Sequence, residues 1–119
     1  MRAHTEITEH KKGGIVVLGV TGRLDSSNAG TLEHKMLGLI DGGESRFVVD
    51  CAALDYISSA GLRVLLIAAK RLAATAGVIV LSGLTEQIKE VFDIVGFASI
   101  FKIYRTPTDA LAALAQSER

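Results

Sequence analysis

The sequence predicts an α/β fold. A mixed sheet of four to five strands, mostly parallel with an antiparallel N-terminal edge strand, is packed with about four helices. Three observations carry this reading. Short β-branched and aliphatic runs alternate with stretches of three- and four-residue apolar spacing, and such alternation implies parallel strands joined by right-handed crossovers. Turn signals, mostly glycines, separate most of these segments. The length, 119 residues, suits one core, so residues 1–119 are read as a single domain.

Each element has a local reason. His4–His10 alternates weakly around Ile7 and reads as an edge strand, and Lys11-Lys12-Gly13-Gly14 is a turn. Ile15–Val20 is a buried β-branched strand, so the pair forms a hairpin. Thr21–Asp25 reads as a loop, with Ser26 or Ser27 capping the next helix. That helix presents Ala29, Leu32, Met36, Leu39 and Ile40 on one face and stops at Gly42-Gly43. Arg46–Asp50 is the second buried strand, and a loop from Cys51 to Ile57 leads to a helix at Ser59. Its expected core face is Leu62, Leu65, Leu66, Ala69, Leu72 and Ala73, with Gly77 as its stop. Val78–Leu81 is a third buried strand. Thr85 caps a helix with the face Ile88, Val91, Phe92 and Val95, ended by Gly96. Phe101–Tyr104 is a last short strand. Thr106-Pro107-Thr108-Asp109 then starts a final helix with a hydroxyl cap, proline at the first helical position and an acid in the first turn.

Composition narrows the function. Lys+Arg and Asp+Glu both number 13, which argues against a duplex nucleic-acid binder and against a polybasic membrane-surface protein. The longest apolar runs, Ile15–Val20 and Val64–Ala69, are too short to span a bilayer, and the N-terminus has no signal-like segment. The single cysteine, Cys51, allows no intramolecular disulfide. It suits a reducing cytoplasm and reads as a small buried hydrophobe. Hydrophobic residues make up 49% of so small a chain, which fits either a partner surface or a well-filled core with alanine-rich helices, and leaves room for weak homodimerisation.

Parallel strands send all their exit loops to one edge of the sheet, where sites form in open α/β folds. Thr21–Ser27, Cys51–Ser59 and Ser82–Thr85 are therefore expected together, with Asp25 near Ser59. Asp55-Tyr56-Ile57-Ser58-Ser59-Ala60-Gly61-Leu62 places two hydroxyls at a helix start. Such a start has unpaired N–H groups and the positive end of the dipole. It serves equally to cap the helix or to hold a phosphoryl group. No glycine stands two positions before Ser59 as a nucleophile elbow needs, and His4, His10 and His34 lie elsewhere, so a serine triad is not expected. Asp25, Asp50 and Asp55 lack ligand-like spacing, and no phosphate-loop or zinc pattern occurs, so neither metal nor cofactor is expected. Arg63, Ile67, Lys70 and Arg71 fall on the outer face of the Ser59 helix, where Ile67 among cations makes a partner surface credible.

These residues carry a family resemblance. Thr21–Asp25, then Asp50 with Leu54–Leu65, then Val91–Phe97 resemble a STAS domain of the bacterial anti-sigma-factor antagonist type over nearly the whole chain. The resemblance implies a non-enzymatic switch. The unphosphorylated protein binds an anti-sigma factor, a serine kinase of the histidine-kinase-like ATPase fold, and frees a sigma factor. Phosphorylation of a serine at the second helix start turns it off, and a PP2C-type phosphatase restores it. Aligned on Gly61, the acceptor is Ser59, with Ser58 as a second candidate because Ser58 and Ala60 depart from the family's Asp-Ser-Ser/Thr-Gly pattern. Asp25 matches the family's loop aspartate, and Arg23, Ser58, Gly61, Arg63 and Ile67 complete the expected switch and partner surface. The other role open to the fold is an interaction subunit in another assembly, such as a lipid-transport, secretion or other signalling complex, with the serine only capping.

Overall fold

A computed structural model describes residues 5–116, so the expected strand start at His4 lies outside the described residues. The elements run β1 (Glu6–Lys12), β2 (Ile15–Leu24), α1 (Ala29–Asp41), β3 (Arg46–Asp50), β4 (Leu54–Ile57), α2 (Ser59–Ala73), β5 (Val78–Ser82), α3 (Glu86–Ile94), β6 (Ile103–Tyr104) and α4 (Pro107–Gln116). A single 3-10 turn, Phe97–Ser99, follows α3. The sheet order is β1-β2-β3-β5-β6, with β4 pairing β2. Among the described residues only the β1–β2 hairpin is antiparallel and every other pairing is parallel; the alternation predicts this for β2, β3, β5 and β6, and the parallel β2–β4 pair is an addition.

Period-two alternation along β2 builds two cores. Val16, Leu18 and Val20 join Phe47, Val49 and Leu81 under Leu32 and Met36 of α1 and Leu62, Leu65, Ala68 and Leu72 of α2. Ile15 and Val17 join Val48 and Val80 under Ala110 and Leu114 of α4. Ile88 and Phe92 bring α3 into the larger core, where Phe92 meets Phe97 and Phe101 edge-on at centroid distances of 5.8 and 6.4 Å. Each of the buried valine, leucine, isoleucine, methionine and phenylalanine side chains contributes about 1.5–3 kcal/mol relative to exposure.

Five expectations need correction. Thr21–Leu24 is strand, not loop: β2 continues past Gly22 through a bulge so that Gly22–Leu24 pairs with β4. Leu54–Ile57, expected in a loop, is that partner strand. On α2 the core face is Gly61, Leu62, Val64, Leu65, Ala68 and Leu72; Leu66 and Ala69 are half-buried and Ala73 is exposed. The last strand is only Ile103–Tyr104, because Phe101 turns inward to the aromatic cluster instead of joining the ladder. Val95 likewise falls outside α3 and is exposed.

Helix ends follow local chemistry. The Thr85 hydroxyl accepts from the Ile88 N–H at 3.3 Å, and Thr106 does the same for Asp109 at 3.1 Å, both as expected. The cap of α1 is Asn28 rather than Ser26 or Ser27. At the end of α2 it is Ala76, at φ 60°, that takes the left-handed turn, and the Gly77 N–H closes it on the Leu72 carbonyl at 2.7 Å. Gly77 is required for a different reason: a Cβ there would stand 2.8 Å from the Ser45 carbonyl oxygen.

Candidate functional site

The carboxyl ends of β2, β3, β4 and β5 converge as the topology requires. β3 runs beside Val16–Gly19 of β2. After the turn at Cys51–Ala53, β4 takes up Gly22–Leu24, and the Gly22 N–H donates to the Ala53 carbonyl at 2.8 Å. The Ser58 N–H then donates to the Leu24 carbonyl at 2.9 Å, and the Cys51 N–H to that of Ser82 at 2.8 Å. These bonds tie the three exit segments together. They set Ser58 one residue past the end of the β2–β4 pairing, against Leu24 and next to where Asp25 begins its loop, and α2 starts directly after it.

Ser58 occupies the N-cap of α2 in extended backbone, φ −95° and ψ 175°, and its carbonyl accepts the Leu62 N–H at 3.0 Å. Its hydroxyl is buried, makes no capping bond and has no hydrogen-bond partner. Ser59 is the first helical residue and is exposed. The capping role considered for Ser59 therefore belongs by position to Ser58. Ser59 presents a solvent-facing hydroxyl over the unpaired N–H groups of the first turn.

Gly61 fixes that placement. A Cβ on Gly61 would lie 2.8 Å from Ile57 Cγ1 and 2.9 Å from Leu24 Cγ, both buried side chains. The first turn of α2 sits on the β2–β4 ends with no room for a side chain.

Asp25 is held by its own loop. Its Oδ1 accepts from the Ser27 hydroxyl at 2.6 Å and the Ser27 N–H at 3.0 Å, while Asn28 Oδ1 accepts the Asp25 N–H at 2.9 Å. The Ser27 hydroxyl, the Ser27 N–H and the nearby Arg23 guanidinium hold the Asp25 carboxyl below its ordinary pKa, so it is ionised at neutral pH. Arg23 Nε stands 3.6 Å from Asp25 Oδ2, and its guanidinium carbon lies 4.1 Å over the Tyr56 ring. Tyr56 and Ser27 were not among the expected site residues. The first comes from the β2–β4 register, which sets Arg23 opposite Tyr56; the second from an Asx turn that Asp25-Ser26-Ser27 encodes locally.

Arg63 is exposed on α2. Ile67, expected on the side away from the core, is half-buried and packs against neither core. Arg71 pairs with Asp41 of α1 at 3.0 Å. The other carboxylates near the edge are structural or exposed: Asp50 Oδ1 accepts the Ala52 N–H at 3.1 Å to close the turn, and Asp55 faces solvent. Burial pushes the Cys51 thiol up to about 12, so it carries no thiolate at neutral pH, in line with the small-hydrophobe reading. No helix among the described residues is long and apolar enough to cross a membrane.

Residues 6–110 match the STAS domain family. The chain belongs to that family. BtrV of Bordetella bronchiseptica, provisionally named an anti-sigma factor antagonist, is 43% identical over 108 residues, covering 91% of this chain and 93% of BtrV. A Thermotoga maritima protein, also provisionally named an anti-sigma factor antagonist, superposes with a TM-score of 0.86 at 19% identity, covering 90% of this chain and 92% of that chain. The phosphorylated form of the Bacillus cell fate determinant SpoIIAA superposes with a TM-score of 0.76 at 20% identity, covering 92% and 99%. The last two likenesses speak for the fold. They place this STAS domain among chains that share its overall fold.

Proposed function

We propose that this STAS domain is an anti-sigma factor antagonist that acts by binding and is switched off by phosphorylation of Ser59. The observation that carries the reading is the exposed Ser59 hydroxyl at the first position of α2, beside the ionised Asp25 loop. The 43% identity to BtrV over nearly both chains supports the antagonist role. Unphosphorylated, the domain binds an anti-sigma factor serine kinase and releases a sigma factor. The partner supplies ATP: the Ser59 Oγ–phosphorus bond forms, the bond to ADP breaks, and the hydroxyl proton leaves to a base on the kinase. A PP2C-type phosphatase hydrolyses the ester and returns the hydroxyl. The domain itself performs no catalysis. Ser59 is preferred to Ser58 because the Ser58 hydroxyl is buried.

Incubation with the cognate anti-sigma kinase and ATP, followed by intact-mass measurement, tests the acceptor. Wild type gains one phosphoryl group and Ser59→Ala gains none while still binding the kinase. A full gain by Ser59→Ala moves the site to Ser58 or elsewhere.

The partner surface is tested on α2. Ile67 is half-buried and off both cores, so Ile67→Glu should cost less than the roughly 2–5 kcal/mol of a core truncation. It should nonetheless abolish kinase binding. Denaturant melts beside binding isotherms check both halves. A stability loss of core size removes Ile67 from the surface, and unchanged binding removes it from the interface.

A further inference from the structure

We propose that Arg23 is the counter-ion of a phosphoryl group on Ser59, and that taking up this role lifts its guanidinium off the Tyr56 ring. The proposal rests on the phosphoserine reading above and goes beyond it by naming what the phosphate does locally.

Placement comes first. Arg23 pairs with Tyr56 and Leu24 with Ile57, and the Ser58 N–H binds the Leu24 carbonyl at 2.9 Å. Ser59 therefore follows immediately where β2 gives way to Asp25. A phosphoryl group on it brings roughly −1.5 to −2 charges. The helix N-terminus favours that charge, while the Asp25 carboxylate opposes it. A cation able to reach both anions resolves the conflict. Arg23 stands 3.6 Å from Asp25 on the sheet face opposite α2, so to reach Ser59 its long side chain has to swing around the strand end and leave the Tyr56 ring.

The present contacts of Arg23 are weak ones. Its side chain is 49% exposed, its ion pair to Asp25 is long, and its stacking on Tyr56 is open to water. Asp25 Oδ1 is already engaged by both Ser27 donors, so Arg23 has no short, two-pronged partner. A phosphoryl group offers that partner, with charge-assisted bonds roughly twice as strong as neutral ones. Arg63, one turn along α2, is the competing cation at the i+4 spacing. Arg23 is favoured because its guanidinium is already held beside the Asp25 carboxylate, the charge that the phosphoryl group would otherwise meet unscreened. The phosphorylated surface then differs in shape as well as charge, since the Tyr56 ring, 42% exposed even with Arg23 stacked on it, becomes bare.

The test uses full-length protein with phosphoserine incorporated at position 59 during translation, so no kinase is needed. Phosphorus NMR follows the second ionisation of the phosphate, which for free phosphoserine falls near pH ~6. It is expected lower by about half a unit or more, as an adjacent opposite charge dictates. Arg23→Gln should return it toward the free value, Arg23→Lys should restore part of the shift, and Arg63→Gln should move it less than Arg23→Gln. In the unphosphorylated protein the Arg23 Hε proton should carry a Tyr56 ring-current shift that Tyr56→Leu removes, and phosphorylation should abolish that shift too. An ionisation that ignores Arg23→Gln, one that responds chiefly to Arg63→Gln, or a ring-current shift that survives phosphorylation each overturns the proposal. The two readings fail separately. A phosphoprotein that loses its partner but shows no Arg23 dependence keeps the switch and discards the bridge. One that shows the Arg23 dependence and still binds its partner keeps the bridge and discards the switch.

Discussion

Gly61→Val should destabilise the domain by about 3 kcal/mol, the upper end of what inserted methylenes cost in a packed site. The first added carbon alone would stand 2.8 Å from Ile57 Cγ1 and 2.9 and 3.0 Å from Leu24 Cγ and Cδ2. These are the inner parts of two side chains that are 4% and 1% exposed, so neither can swing into solvent. Relief has to come from lifting the first turn of α2, and the Ser58 N–H bond to Leu24 is the tie it would pull on. Valine is a better helix former than glycine by a few tenths of a kcal/mol, too little to offset the clash. Gly30→Val on α1 isolates that intrinsic term, because a Cβ at Gly30 meets nothing within 4 Å, and it should stay within about 0.5 kcal/mol of wild type. Urea melts compare the two. The Gly61 variant should lose roughly one to three molar in midpoint at ordinary slopes. A wild-type midpoint for Gly61→Val would mean that α2 is not seated on Leu24 and Ile57, and the placement of Ser59 would fall with it.

The same contact explains what the sequence made legible and what it did not. Alternating strand and helix patterns are local, and they name every helix and the strands β2, β3 and β5. β4 escapes because Leu54-Asp55-Tyr56-Ile57 buries its two ends and exposes its middle, a pattern without period two. The continuation of β2 escapes because Gly22 interrupts the run and the bulge beside it shifts the register. The face of α2 is ambiguous by composition. From Ala60 to Ala69 only Gly61 and Arg63 are not apolar, so more than one stripe satisfies a 3.6-residue period, and packing on Leu24 and Ile57 selects Gly61-Leu65-Ala68-Leu72.

The site divides along the same line. That Asp25 and Ser59 share an edge follows from strand direction alone. The Asx turn that engages Asp25 is written in three consecutive residues. The pairing of Arg23 with Tyr56 is not, because it exists only through the β2–β4 register. Which serine caps and which is free also depends on a distant group: the Leu24 carbonyl takes the Ser58 N–H and so makes Ser58 the last extended residue.

Ser59→Asp should fold as well as wild type yet bind the anti-sigma partner roughly thirtyfold or more weakly. The stability half follows from position. At the first residue of α2 a carboxylate meets unpaired N–H groups and the positive end of the dipole, which is worth about 0.3–1 kcal/mol. The neighbouring Asp25 carboxylate opposes it, but Asp25 is already engaged by Ser27 and Arg23, so the net change should remain within about 1 kcal/mol. The binding half follows from desolvation. A hydroxyl carried into an interface keeps a donor and an acceptor and no charge. A carboxylate carried there adds a charge for which the partner surface, built to meet a hydroxyl, offers no counter-charge. Arg23 on this domain screens only part of it. An interfacial charge left without its pair costs about 2–5 kcal/mol, and the lower figure is already about thirtyfold in affinity. Calorimetric titration against the kinase, beside a thermal melt of the free variant, separates the halves. Equal affinity for wild type and Ser59→Asp would take Ser59 out of the interface. A large fall in melting temperature would show instead that this hydroxyl supports the fold, and the switch would then need another residue to carry it.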